Sequence, residues 1–227
     1  MQKRNKEIAL LTLFAMTLVV AGHSDITLDY KKLWIYKWVY SFHMPLFFFI
    51  SGFLFCLTNP TPRLIQTSYF SFIKKKAFRL LAPFVFINSI IYVIKSIGIT
   101  DKSIMQHPVV LSLSAFIDST LFHPLGFMWF LPALFIIFIM IFPWWKLIKK
   151  STFGKKGILI NILLAMVIVA FIYEWLPNVT FMQISSSLYY IRYFLVGILY
   201  CEFKPEVDSF FYKFKSLVSH FNGTLMM

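Results

Sequence analysis

Acidic residues are scarce in this chain: nine Asp and Glu stand against 22 Lys and Arg. Charged residues of either sign make up only 14% of it, where soluble domains carry about 25%. That shortage argues against an ordinary solvated globule. Cysteine is limited to Cys56 and Cys201. Without a CxxC pair they form neither a zinc module nor a disulfide framework. There is no HExxH helix of a zinc hydrolase and no GxSxG elbow of a serine hydrolase. Internal repeats, low-complexity linkers and a soluble domain are also missing, and the lack of an inverted repeat disfavours a repeat-built transporter.

What fills the chain instead is apolar. Its 227 residues are 59% hydrophobic and 20% aromatic, with a mean hydropathy of +0.75. Long apolar stretches between short basic connections predict an all-α, polytopic transmembrane bundle of about six helices. The spans fall near 8–23, 38–57, 77–97, 127–148, 157–175 and 187–203. The first is short, but His23-Ser24-Asp25 follows it rather than a small-residue cleavage site, so it reads as a retained helix. Residues 1–203 form one membrane domain and 204–227 a cytoplasmic tail. An apolar patch at 109–117, inside the longest connection, is too short to span.

Basic residues orient the bundle. Lys3, Arg4 and Lys6 place the N-terminus inside. The 58–79 connection adds Arg63, Lys74, Lys75, Lys76 and Arg79, and the 146–156 connection adds Lys146, Lys149, Lys150, Lys155 and Lys156. Lys204, Lys213 and Lys215 keep the tail inside, whereas the outer connections hold Lys31, Lys32, Lys37 and Lys102. Positive charge collects on cytoplasmic loops, so both termini are expected in the cytoplasm and the chain in the plasma membrane. The net charge of +13 then reflects topology and anionic lipid, with no nucleic acid as partner. Cys56 and Cys201 fall at inner helix ends, where the cytosol keeps thiols reduced.

Against this background the run Phe42-His43-Met44-Pro45-Leu46-Phe47-Phe48-Phe49-Ile50-Ser51-Gly52-Phe53 stands out. It puts an ionisable side chain at the mouth of a strongly apolar helix, a costly position held by default for function. His23 closes the span before it. With the orientation above, His23, His43, Trp129 and Arg192 all fall in the outer half of the membrane. Each has a plainer reading: an interfacial residue for His23, the aromatic belt for Trp129, and snorkelling to headgroups for Arg192. Ser51-Gly52 lets a neighbouring helix come close. Pro45 is expected in the first turns of the second span, and Pro132 and Pro143 are expected to kink the fourth.

These pieces resemble the acyltransferase 3 family of integral membrane acyltransferases, particularly its fucose 4-O-acetylase-like branch. The matching segments are Leu18-Val19-Val20-Ala21-Gly22-His23, the run from Phe42 to Phe53, Lys76-Ala77-Phe78-Arg79-Leu80-Leu81-Ala82-Pro83, Met128-Trp129-Phe130-Leu131 and Arg192-Tyr193-Phe194-Leu195-Val196-Gly197. The resemblance implies transfer of an acyl group, commonly acetyl, from cytosolic acyl-coenzyme A to a hydroxyl of an extracytoplasmic carbohydrate or envelope polymer. Acyl-CoA is then a co-substrate, with no resident cofactor and no metal. His23 maps to the family's catalytic histidine, His43 to its second histidine and Arg79 to the arginine of the third span.

The chemistry follows from the side chains. His23 is expected to take the hydroxyl proton, with His43 beside it. Trp129 and Arg192 meet the substrate or its oxyanion, and Lys74, Lys75, Lys76 and Arg79 hold the coenzyme phosphates. The chain departs from the family in two ways. Ala9 and Thr12 stand where many members carry charged residues on the first helix. The chain also matches only about the N-terminal two-thirds of a typical member, as a truncated reading frame, a fragment or a minimal variant would, which leaves open whether a homodimer or partner chain supplies the remaining helices. Rival readings are a carrier or export component for envelope polysaccharide, and an inactive truncated remnant.

Overall fold

The computed structural model describes residues 6–23, 34–97, 112–124, 126–151, 154–176 and 178–213. Among them there is no strand. Lipid offers no partner to peptide N–H and C=O groups, and a helix satisfies them within its own segment. The helices are α1 (Lys6–His23), α2 (Trp34–Thr58), α3 (Thr61–Gln66), α4 (Tyr69–Ser96), α5 (Leu113–Leu121), α6 (Phe130–Lys150), α7 (Lys155–Trp175) and α8 (Ile184–Glu202). A further helix, α9, covers 204–213. Single 3-10 turns, Gly126–Trp129 and Phe181–Gln183, lead into α6 and α8.

Five segments are long and apolar enough to cross a membrane: Lys37–Thr58, Tyr69–Ser96, Phe130–Lys150, Lys155–Trp175 and Phe181–Glu202. In α1 the apolar stretch Ala9–Val20 is shorter. The six expected spans correspond to α1, α2, α4, α6, α7 and α8, with corrected boundaries. Helix α4 begins at Tyr69, so Lys74, Lys75, Lys76 and Arg79 lie on a helix and not in a loop. Lys and Arg are good helix formers, and their stems coat apolar surface while the charge reaches water. Helix α2 begins at Trp34, which places Pro45 in its interior rather than its first turns. Pro132 sits in the first turn of α6, where its missing N–H has no helical partner to lose. Helix α6 runs unbroken past Pro143. The tail is helical through 213, and 214–227 lie outside the described residues.

The chain divides into two compact units, residues 1–60 with 193–227 and residues 61–192. In the first, Ala15 and Leu18 of α1 pack on Val39, Leu46 and Ile50 of α2. The spacings of three, four and seven put these residues on one stripe of each helix. The other side of α2 meets the C-terminal half of α8. Two glycines decide how closely. A Cβ on Gly52 would collide with the Phe194 carbonyl, and one on Gly197 with the Phe49 carbonyl and Phe53 nitrogen. Around this crossing Phe55 packs on Phe194, and Tyr200 on Phe49 and Phe53, with ring centroids 5.6–5.8 Å apart. Without water to drive helices together, such close packing is the main attraction within a bilayer.

In the second unit α4 and α6 run antiparallel. Phe72 stacks on Phe142 at 4.0 Å, and the Tyr69 hydroxyl donates to the Ile139 carbonyl at 3.5 Å. The 109–117 patch is partly explained by α5, which is tied to α4 by polar side chains. Asn88 is wholly buried. Its amide donates to the Ser119 carbonyl (3.2 Å) and the Thr120 hydroxyl (3.1 Å). The Tyr92 hydroxyl donates to the Ser112 carbonyl and accepts from the Ser112 N–H, at 2.8 and 3.0 Å. Asn88→Leu removes two of these tethers and is expected to cost about 1 kcal/mol, the typical worth of an interhelical hydrogen bond in a membrane protein. Faster hydrogen exchange in α5 than in α6 would report it.

Candidate active site

His43 is 3% exposed in the middle of α2. Its Nδ1 lies 2.7 Å from the Val39 carbonyl one turn earlier. A carbonyl oxygen only accepts, so Nδ1 carries the hydrogen. In the neutral ring the lone pair is then on Nε2, the atom able to take a proton. The same bond fixes the plane of the ring, as an orienting partner does for a catalytic histidine. Pro45, two residues on, has no N–H for the Ser41 carbonyl. The helix is therefore short of one backbone bond beside the buried imidazole. His23 is the last residue of α1; its side chain lies outside the described residues.

Trp129 and Arg192 belong to the second unit. They are joined through two tyrosines that sequence reasoning passed over. Trp129 packs on Tyr190 (5.4 Å), Tyr190 meets Tyr189 edge to face (4.9 Å), and the Arg192 guanidinium lies over the Tyr189 ring at 3.8 Å. A cation against an aromatic face is held in place while its N–H edge still donates. The signal was present as a Tyr-Tyr pair three residues before an arginine, the spacing that stacks side chains on a helix. Tyr173 of α7 reaches Tyr189 at 5.6 Å. Between α7 and α8, Tyr173, Tyr189 and Arg192 border a cavity of about 220 Å³ that Glu174 also lines.

The turn before this arginine helix is strained. Met182 and Gln183 have φ of 48° and 60°, a left-handed conformation costing roughly 1–2 kcal/mol for a non-glycine residue. The Ser187 hydroxyl bonds the Gln183 carbonyl at 2.8 Å and that of Ser186 the Gln183 side chain at 2.9 Å. Ser187 also donates to the Ala133 carbonyl of α6 at 3.1 Å, which ties the N-terminal end of α8 to α6.

The basic residues of α4 divide by face. Lys74, Lys75 and Arg79 are exposed, with Lys75 and Arg79 four apart on one side. Lys76 turns the other way: its ammonium sits 3.7 Å from the Phe138 ring centre and 5.4 Å from that of Phe72. It is thereby committed to the α4–α6 contact more than to a free basic surface. Lys146 of α6, not singled out from sequence, donates to the Thr67 carbonyl at 2.8 Å. This bond brings the two expected inner basic clusters to the same end of the α4–α6 pair. The two cysteines also meet. Cys56 and Cys201 are within hydrogen-bonding reach, and Cys56 Sγ donates to Glu202 Oε1 at 3.2 Å. Both thiols are free. Among the described residues no cluster of His, Cys, Asp and Glu could hold a metal ion.

Comparison with known proteins agrees with the motif resemblance. The model of the acyltransferase domain family matches residues 5–221. A nodulation protein, NolL of Mesorhizobium japonicum (strain LMG 29417 / CECT 9101 / MAFF 303099), is 32% identical over 132 residues. That alignment takes in 56% of this chain and 32% of the relative, so the match spans about a third of the relative's length. No solved structure matches.

Proposed function

The chain belongs to the acyltransferase 3 family, and from that premise we propose that it is a membrane-bound O-acyltransferase. It moves an acyl group, acetyl first among candidates, from cytosolic acyl-CoA to a hydroxyl of an extracytoplasmic carbohydrate or envelope polymer. The observation that carries this reading is His43: a buried imidazole held as the Nδ1–H tautomer by the Val39 carbonyl, in an otherwise apolar helix. Hydroxyl acylation needs a positioned proton acceptor, and histidine is the side chain most often used as one.

The step balances without a metal. An imidazole nitrogen takes the acceptor's hydroxyl proton while the oxygen attacks the thioester carbonyl. The tetrahedral intermediate expels coenzyme A thiolate, which recovers the proton from imidazolium as free thiol. We assign proton transfer to His23, with His43 as the second histidine of the pair. Lys74, Lys75 and Arg79 are proposed phosphate donors for the coenzyme, with Lys76 supporting them from the α4–α6 contact. Arg192, held over Tyr189, and Trp129 are proposed to meet the substrate or its oxyanion. The chain would lie in the plasma membrane with both termini in the cytoplasm, and would work with a second copy or a partner chain.

Membranes holding the chain, given acetyl-coenzyme A labelled on the acetyl group, should pass label to envelope carbohydrate in an alkali-labile ester. Label that stays entirely with coenzyme A, in membranes where the chain is folded and envelope carbohydrate is present, would overturn the reading.

A further inference from the structure

The cavity between α7 and α8 deserves a ligand of its own chemistry. Helix α7 lines it with Met166, Val169, Tyr173 and Glu174. Helix α8 adds Leu188, Tyr189 and Arg192. At about 220 Å³ it is smaller than the roughly 300–1,000 Å³ of sites for drug-sized ligands, so it admits one small ring and not an oligomer. It lies at the end of α7 where Trp175 is 76% exposed, beside Tyr173. Trp and Tyr at the end of an apolar helix mark the headgroup layer. Below it α7 exposes Leu164, Val167, Ile168 and Phe171, a face fitted to hydrocarbon. The mouth therefore faces lipid as much as water.

The rim chooses the headgroup. A carboxylate at Glu174 repels phosphate, and the guanidinium of Arg192 repels ammonium. A neutral polyol uses both, because its hydroxyls donate to the carboxylate while its oxygens accept from the guanidinium. Tyr173, whose ring lies 5.6 Å from that of Tyr189, adds an aromatic surface for the C–H side of a sugar ring. We propose that this cavity seats the single sugar ring of a glycolipid, entered sideways from the bilayer, with the hydrocarbon chain lying along the exposed apolar face of α7. The inference deepens the acyltransferase reading, because it makes the acceptor lipid-borne, and it can be tested without any acyl donor.

The probe is an alkyl glucoside with a diazirine in its chain, photolysed on the full-length protein in lipid nanodiscs and mapped by peptide. Label is expected in α7 and α8. Octyl glucoside should compete for it, free glucose should need at least a hundredfold higher concentration, and octyl phosphate should not compete. Glu174→Gln, isosteric and at an exposed helix end, should weaken labelling about tenfold, and Arg192→Lys similarly. Equal competition by octyl phosphate, equal competition by free glucose, or labelling indifferent to both substitutions would each overturn the proposal. Label in the cavity without acetyl transfer would leave it standing while the acyltransferase reading falls. Transfer that survives while cavity labelling fails would do the reverse.

Discussion

Exchange of His43 for asparagine is expected to lower acyl transfer by about a hundred- to ten-thousandfold, the range for loss of a positioned acid–base group, while α2 stays folded. Asparagine is chosen because its amide can still donate to the Val39 carbonyl, which His43 Nδ1 approaches at 2.7 Å. The structural half of the side chain's work is thus retained and the second ring nitrogen removed. Alanine at His23 should have at least as large an effect, because that residue is assigned the proton transfer itself. The readouts are the initial rate with labelled acetyl-coenzyme A and the melting temperature of the purified protein. His43→Asn protein with normal melting and normal rate would leave His43 a purely structural residue. A wild-type rate in His23→Ala would remove the proposed base.

The second large effect is on stability. Gly52→Ala and Gly197→Ala each place a methyl group where the opposing helix has backbone, not a side-chain end that could swing aside. The helices must part, which overpacking data put at about 1–3 kcal/mol per site. That is a large share of a typical folding free energy of about 5–15 kcal/mol. Because both methyl groups force the same separation, the double substitution should cost clearly less than the two single costs together. Thermal unfolding in detergent measures all three. Additive costs would mean that the two glycines do not serve one shared contact.

Much of this was legible beforehand because lipid leaves few options. An apolar stretch of about twenty residues must be helical, so the spans could be read and only their ends were misplaced. The α4 boundary moved because the lysines from 74 to 76 looked like a loop, whereas their stems continue a helix without strain. Gly52 was recognisable as a point of close approach because small residues in a bilayer rarely have another use. Its partner, the backbone of Phe194, was not.

The residues missed share one cause. Tyr189, Tyr190, Tyr173 and Glu174 matter through what lies across from them, and an all-round apolar helix such as α7 has no polar stripe from which to deduce its facing. Lys76 shows the same limit: sequence counted it with Lys74 and Lys75, and only the rotation of α4 against α6 turned it onto Phe138.

The sequence alone therefore determined the class of molecule, its helices and the family. Those follow from residue type and order in a solvent that forbids other folds. The tertiary structure decided which nitrogen of His43 bears its proton, which glycine meets which carbonyl, and which tyrosines hold Arg192. The first rests on where α2 directs a carbonyl one turn from the ring. The others rest on how far each helix is rotated and slid against its neighbour, a quantity that apolar side chains on every face leave unspecified until the helices pack.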